Sequence, residues 1–258
     1  MTLAVTIALA VFAGLLIGSF LTVVAERVPR NESVSAPRSR CGQCNTMLTA
    51  ADLVPVASWL VLRGRCRHCG AKIGIEPLVL ELTTSAMFGL MAWKLQRPWA
   101  VAAFCVWVAG LVVLSWIDLR IKKLPRRIIY VTALLGVPLL CIAALIDDQP
   151  QRITHMVIGA GIALGFMGFV YVASRGGMGD GDVRLSPLLG AYLGWLGLAL
   201  VPAGLFFGFL GGAVVGSVLM WAGKAGRRTA LPFGPFLAGG AVLAVFVGQR
   251  FVDLVWRG

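Results

Sequence analysis

Residues 186–223 read SPLLGAYLGWLGLALVPAGLFFGFLGGAVVGSVLMWAG, without one Asp, Glu, Lys or Arg. A helix of about 20 apolar residues crosses the ~30 Å hydrocarbon core of a bilayer, so this stretch is too long for one ordinary span. Pro202 cannot donate a backbone N–H inside a helix and offers the breaking point. The reading is two spans, 186–201 and 202–222, joined by a tight turn. Working outward, further apolar runs place spans near 3–25, 78–95, 99–118, 127–146, 154–174 and 232–252. Composition agrees with this. Mean hydropathy is +0.87 and 13% of residues are charged, against about 25% in a soluble domain. The expected fold class is an all-α polytopic membrane protein with about eight transmembrane helices.

A net charge of +12 would suggest nucleic acid in a soluble chain. In a membrane chain, basic residues gathered in cytoplasmic loops account for it, and no nucleic-acid partner is expected. With eight spans, all but five of the 23 Lys and Arg residues fall on one side, the five being Lys94, Arg97, Arg152, Arg250 and Arg257. The basic side is expected in the cytoplasm and both termini outside. The first apolar run has no basic segment before it, and Arg27 and Arg30 follow it, so it reads as an uncleaved anchor. Gly204, Gly208, Gly212 and Gly216 recur every four residues, as do Gly14 and Gly18. Each series makes a smooth helical ridge suited to close packing against a neighbouring helix of the same chain.

Residues 26–77 are the one polar stretch large enough to fold outside the membrane. The expected division is a first helix over 1–25, a cytoplasmic insert over 26–77 and a membrane-embedded domain over 78–258. The insert holds CGQC at 41–44 and CRHC at 66–69. Two such pairs supply four thiolates, from Cys41, Cys44, Cys66 and Cys69, to one tetrahedral zinc, with Gly42 and Gly70 suited to the turns. Disulfides are the alternative, but thiols in the reducing cytoplasm favour metal. A structural zinc also explains how so polar a segment holds one shape. His68 lies between better ligands, and Cys105 and Cys141 read as small hydrophobes in apolar segments.

Acids are scarce, with 11 in the chain. Asp118 ends the third span in SWIDLRIKKLP, and Asp180 and Asp182 follow the fifth in GMGDGDVRLSP at 177–187. The expected topology places all three at one face. Acids at a membrane edge are expensive, so a functional role is the first hypothesis. The bland reading is solvated loop acids balanced by Arg120 or Arg184. Two carboxylates in a partly dry site share a proton. One then takes a proton from water while the other donates to a peptide carbonyl, the chemistry of an aspartic protease. No Ser/His or Cys/His set competes, since His155 sits at the outer end of the fifth span.

Together these residues resemble the type IV prepilin peptidases, membrane aspartic proteases of the GxGD class. The likeness runs through GLLIGSFLTVVAERVPR, SRCGQC, DLVPVASWLVLRGRCRHCGAKI, WIDLRIKKLP, GMGDGDVRLSPLLGAYLGW and LPFGPFLAGGA. It implies cleavage of the basic leader of prepilins or pseudopilins at the cytoplasmic face of a prokaryotic inner membrane, serving a type IV pilus or type II secretion. It also implies methylation of the new amino terminus from S-adenosylmethionine in many long-form members. Asp118 matches the first catalytic aspartate. Gly177–Asp180 and Gly179–Asp182 both spell GxGD, and the Val-Arg-Leu that follows selects Asp182, leaving Asp180 at the variable position.

The chain departs from the family pattern at LPRR (124–127), GIEPLVLE (74–81), Thr22 and LVP (53–55). None of these touches the two aspartates. Several lie near the region associated with methylation, which puts the transferase activity in more question than the protease. A proton- or cation-coupled transporter with a regulatory zinc module is the competing function. It would use the same two acids, although transporters place their sites near the membrane midplane. A non-catalytic anchor with a partner-binding zinc module leaves GMGDGD without a purpose.

Overall fold

The computed structural model describes residues 2–175, 177–224, 226 and 231–257. Arg227 and Arg228, counted above on the basic side, and the side chain of Arg257 lie outside the described residues. Among the described residues there is no β-strand, only two isolated bridges, Arg40 with Met47 and Arg65 with Lys72. The helices are α1 (Leu3–Arg27), the short α2 (Ala57–Val61), α3 (Glu76–Leu95), α4 (Pro98–Ile121), α5 (Arg126–Ile146), α6 (Gln151–Ala173), α7 (Asp180–Leu196), α8 (Leu200–Trp221) and α9 (Gly234–Arg257). Seven of them, all but α2 and α7, are long and apolar enough to cross a membrane. The chain is a multi-pass membrane protein.

The opening stretch does split in two, but not at Pro202. Helix α7 ends at Leu196 and α8 begins at Leu200, so Pro202 lies in the first turn of α8. There its missing N–H has no intrahelical acceptor to lose. Helix α7 has only 17 residues and begins at Asp180, which carries both Asp180 and Asp182 into its first turn.

The chain forms two compact units, Met1–Val113 and Leu114–Gly258, divided within α4. In the first unit α1 packs on α3. The buried residues of α1 are Ala10, Gly14, Gly18 and Leu21, a single stripe at helical spacing. A Cβ at Gly14 would sit 2.6 Å from Ser85 Cα, and one at Gly18 would sit 2.5 Å from Glu81 Cα. The two glycines therefore let the backbones meet, and the Ser85 hydroxyl donates to the Val11 carbonyl at 3.0 Å across the contact.

In the second unit α7 touches α5, α6, α8 and α9. Most of its residues are buried, Tyr192 and Trp195 almost wholly. The Trp195 indole N–H donates to the Leu140 carbonyl of α5 at 3.1 Å. Gly159 of α6 meets Gly190 and Gly194 of α7 backbone to backbone. Pro187, inside α7, leaves the Val183 carbonyl without its helical donor, and the Ser186 hydroxyl takes that place at 2.9 Å. The expected glycine ridge on α8 serves internal packing. Gly204 faces the Leu193 side chain of α7 and, with Gly208, the backbone of α9 around Gly240 and Leu237, while Gly212 and Gly216 face the side chains of Phe233 and Leu231.

Candidate active site and cysteine cluster

Three chain segments meet at one end of the second unit: the last turn of α4 with the loop after it, the start of α7 and the start of α9. Asp118 is 5% exposed and Asp182 6% exposed. The Gly234 N–H, first in α9, donates to Asp118 Oδ2 at 2.9 Å. This is a helix N-terminus aimed at a carboxylate, where orphan N–H groups and the helix dipole favour negative charge. Asp182 Oδ1 is buried with no hydrogen-bond partner. Asp118 and Asp180 are the charged groups near enough to act on it electrostatically.

Leu124 ties the three segments together. It lies in the loop after α4, and a Cβ at Gly181 would stand 2.9 Å from Leu124 Cβ. A Cβ at Gly234 would stand 3.1 Å from Leu124 Cδ2 and 2.9 Å from Asp118 Oδ2. The glycine of GxGD beside Asp182 is thus needed for the room it leaves, as is Gly234. Gly234 and Leu124 were not singled out from sequence. The only signal was their place in LPFGP and KKLP, and no spacing links residues so far apart in the chain.

Asp180 differs from Asp182 in every respect. Its side chain is 60% exposed and its Oδ2 lies 2.7 Å from Arg184 and 3.7 Å from Arg126. The first pair is one helical turn apart. The structure therefore buries Asp118 and Asp182 at the same end of the second unit, within electrostatic reach of each other, and leaves Asp180 exposed to solvent.

In the first unit the two cysteine pairs form matching knuckles. The Cys41 N–H donates to the Thr46 carbonyl and the Asn45 N–H to the Cys41 carbonyl. The Cys66 N–H donates to the Ala71 carbonyl and the Gly70 N–H to the Cys66 carbonyl in the same way. Gly70 takes the left-handed conformation, φ 69°, as its place suggested, but its counterpart is Asn45 at φ 55° and not Gly42. Asn is the non-glycine residue that best tolerates that region. All four Sγ atoms lie within 4.8 Å of one another, with Cys41 and Cys69 Sγ 3.8 Å apart, and none is in a disulfide. A tetrahedral zinc with Zn–S bonds of about 2.3 Å sets sulfurs about 3.8 Å apart, and thiolates are the ligands zinc prefers. The cluster fits a metal ion.

The rest of the insert is tied by polar contacts. Asp52 accepts from the Thr49 hydroxyl at 2.7 Å, from the Thr49 N–H at 3.0 Å and from Arg67 Nε at 2.7 Å. The Thr49 hydroxyl first, then Arg67, hold the Asp52 carboxyl well below the usual carboxylate range. Arg67 belongs to the second knuckle, so this ion pair fastens the linker to the cysteine cluster. Val56 has φ 60°, a strained value for a β-branched residue. Its N–H donates to buried Glu81 of α3 at 2.7 Å. A cavity of about 190 Å³ between α1, α3 and the insert is lined by Thr22, Glu26, Asp52, Trp59 and Glu81, among others.

These features define a class, a multi-pass helical membrane protein with a buried aspartate pair and a four-cysteine module. Residues 12–95 match the bacterial peptidase A24 N-terminal domain, and residues 105–220 match the type IV leader peptidase family. The chain belongs to the type IV leader peptidase family. Among the curated relatives named prepilin leader peptidase/N-methyltransferase, three illustrate the likeness. That of Bacillus subtilis is 30% identical, covering 93% of this chain and 94% of its own. That of Burkholderia pseudomallei is 34% identical over 96% and 88%, and that of Myxococcus xanthus 37% over 84% and 64%. No solved structure matches the chain.

Proposed function

We propose that this protein is a prepilin leader peptidase that removes a basic leader from prepilins or pseudopilins by a two-aspartate mechanism, with Asp118 and Asp182 as its catalytic residues. The observation that carries the reading is the buried pair itself, in which Asp118 is oriented by Gly234 and Asp182 Oδ1 is left without a partner. A buried polar atom left unpaired is costly, and a water or substrate group at that position relieves the cost. The pair holds one proton. The unprotonated carboxylate takes a proton from water as the water oxygen attacks the peptide carbon, and the other carboxyl protonates the carbonyl oxygen. Collapse of the tetrahedral intermediate breaks the C–N bond and returns a proton to the leaving amine. The substrate is a chain with a short basic leader and a glycine before an apolar helix, which lies among the spans.

The pair works at the cytoplasmic face of the inner membrane, a placement supported by the Lys and Arg distribution. The working division is a first helix over 1–25, an insert over 26–77 and a peptidase domain over 78–258. One zinc on Cys41, Cys44, Cys66 and Cys69 holds the insert in shape and takes no part in cleavage. Methylation of the new terminus, with S-adenosylmethionine as donor, depends on the insert and the facing end of α1. The cavity where Thr22 and Glu81 meet the insert supports that assignment.

Purified protein with a prepilin in detergent tests the reading, since only a peptidase shortens the substrate. Failure to cut every prepilin offered overturns it. Mass spectrometry of the mature amino terminus decides the second activity, and an unmethylated terminus confines the protein to proteolysis.

A further inference from the structure

The end of the second unit that holds the aspartate pair is basic, with Lys122, Lys123, Arg126, Arg127, Arg175 and Arg184 in the loops and first turns around it. Asp180 is the remaining carboxylate there, because Asp147, Asp148 and Asp253 belong to the opposite ends of α5 and α9. Within the second unit, a cationic substrate segment approaching this end meets like charge except at Asp180. The Asp180 carboxylate is 60% exposed and only partly engaged. Arg184 holds it from one turn along α7 at 2.7 Å, while Arg126, itself 61% exposed, stands at 3.7 Å, beyond hydrogen-bond reach. Buried Asp182, with its unpartnered oxygen, sits two residues away on the same turn.

We propose that Asp180 is a specificity-determining residue that receives a lysine or arginine of the substrate one or two residues before the scissile bond, at the side of the carboxylate beside which Arg126 stands in the absence of substrate. The inference rests on the peptidase reading above. Residues two apart on a helix point about 200° apart around its axis, so Asp180 lies off the face that carries Asp182 although their Cα atoms are only about 5 Å apart. An extended chain advances about 3.4 Å per residue. The long side chain of a Lys or Arg one or two residues upstream of a bond held over the pair spans that turn to Asp180, and one six residues upstream does not. The alternative role, a carboxylate at a helix N-terminus stabilised by the dipole and by Arg184, predicts no dependence on substrate charge.

The test uses the full-length protein in detergent and substrates with a glycine before a 20-residue apolar helix. The residue before the glycine is Lys, Gln or Glu, and a fourth substrate carries the Lys six residues upstream. Asp180→Asn is expected to raise KM for the adjacent-Lys substrate about two- to fivefold, the size an exposed ion pair supports, with kcat within about twofold. It should also erase the preference of Lys over Gln. Asp180→Lys should reverse the preference, so that the Glu substrate is cut best. Arg126→Gln should lower KM for the adjacent-Lys substrate and leave the displaced-Lys substrate unmoved. An unchanged Lys preference in Asp180→Asn, or a loss of kcat alike for all four substrates, overturns the proposal. If the unaltered protein cuts none of the four, the peptidase reading falls and this inference with it.

Discussion

The cysteine insert and the aspartate pair solve opposite problems. The insert buries few of its apolar side chains, so its shape depends on four sulfurs, an Asp52–Arg67 ion pair and the Glu81 contact to Val56. None of its buried side-chain nitrogen or oxygen atoms lacks a partner, and its fold is what needs support. The aspartate pair sits on helices whose burial is ample, with α7 packed against four neighbours. There the fold is secure and one polar atom, Asp182 Oδ1, is left unsatisfied. Where cross-links and ion pairs hold a region together, substitution should change its stability. Where the packing is secure and the chemistry is exposed to strain, substitution should change rate.

The largest expected effect tests the second half of that contrast. Asp118→Asn and Asp182→Asn should each lower cleavage by roughly a thousandfold or more, since either change removes one member of the pair that must act together as general acid and general base. Membrane insertion and thermal stability should hardly change. Asp180→Asn should keep substantial activity. A dead Asp180→Asn beside an active Asp182→Asn would show that Gly177–Asp180 is the working motif.

Next in size is the cysteine cluster. Replacing Cys44 and Cys69 by serine should reduce bound zinc from one per chain to near none, measured by elemental analysis of protein purified without chelator. The insert should then become sensitive to protease while the apolar helices remain inserted. Zinc retained in that variant would refute the four-thiolate site.

A smaller effect lies between the two extremes. Gly181→Val drives a side chain into Leu124, and overpacking of this kind costs about 1–3 kcal/mol. Loss of activity should exceed loss of stability, because Leu124 also bears on Gly234. Leu124→Ala in the same protein should restore part of the rate. If the second change restores nothing, Leu124 is not the wedge described.

The smallest effect concerns pH. Asp52 is held below its ordinary range in the folded insert, so its contribution is present above the unfolded value of about 3.9 and is lost as pH falls below it. Asp52→Asn should make the insert easier to digest at neutral pH. The gap between the two proteins should close in acid, which digestion rates across a pH series would reveal.

Much of this was legible in sequence because membrane spans, cysteine pairs and isolated acids are local signals. The runs at 3–25 and 99–118 foretell α1 and α4 to within a few residues. The division of 186–223 was harder. Proline breaks helices only past the first turn, so Pro202 could not by itself say on which side of it the break falls. Asn45 was missed in favour of Gly42, since a left-handed position admits asparagine as well as glycine. The Val-Arg-Leu that follows singled out Asp182 from Asp180 through the family resemblance, but the difference in burial between the two was not legible. Two carboxylates in the same turn look alike until it is known which side of α7 the other helices cover. Gly234 is a contact across 116 positions, and no periodicity reaches that far.

The wedge formed by Leu124 has a further consequence for how such chains diverge. Leu124, Gly181 and Gly234 share one small volume although they come from three separate stretches. Their sizes are therefore inherited as a set, and a lineage that enlarges one must trim another. Among descendants of this chain the three positions should covary, and a chimera that exchanges α7 alone should fail where one that also exchanges the loop after α4 succeeds.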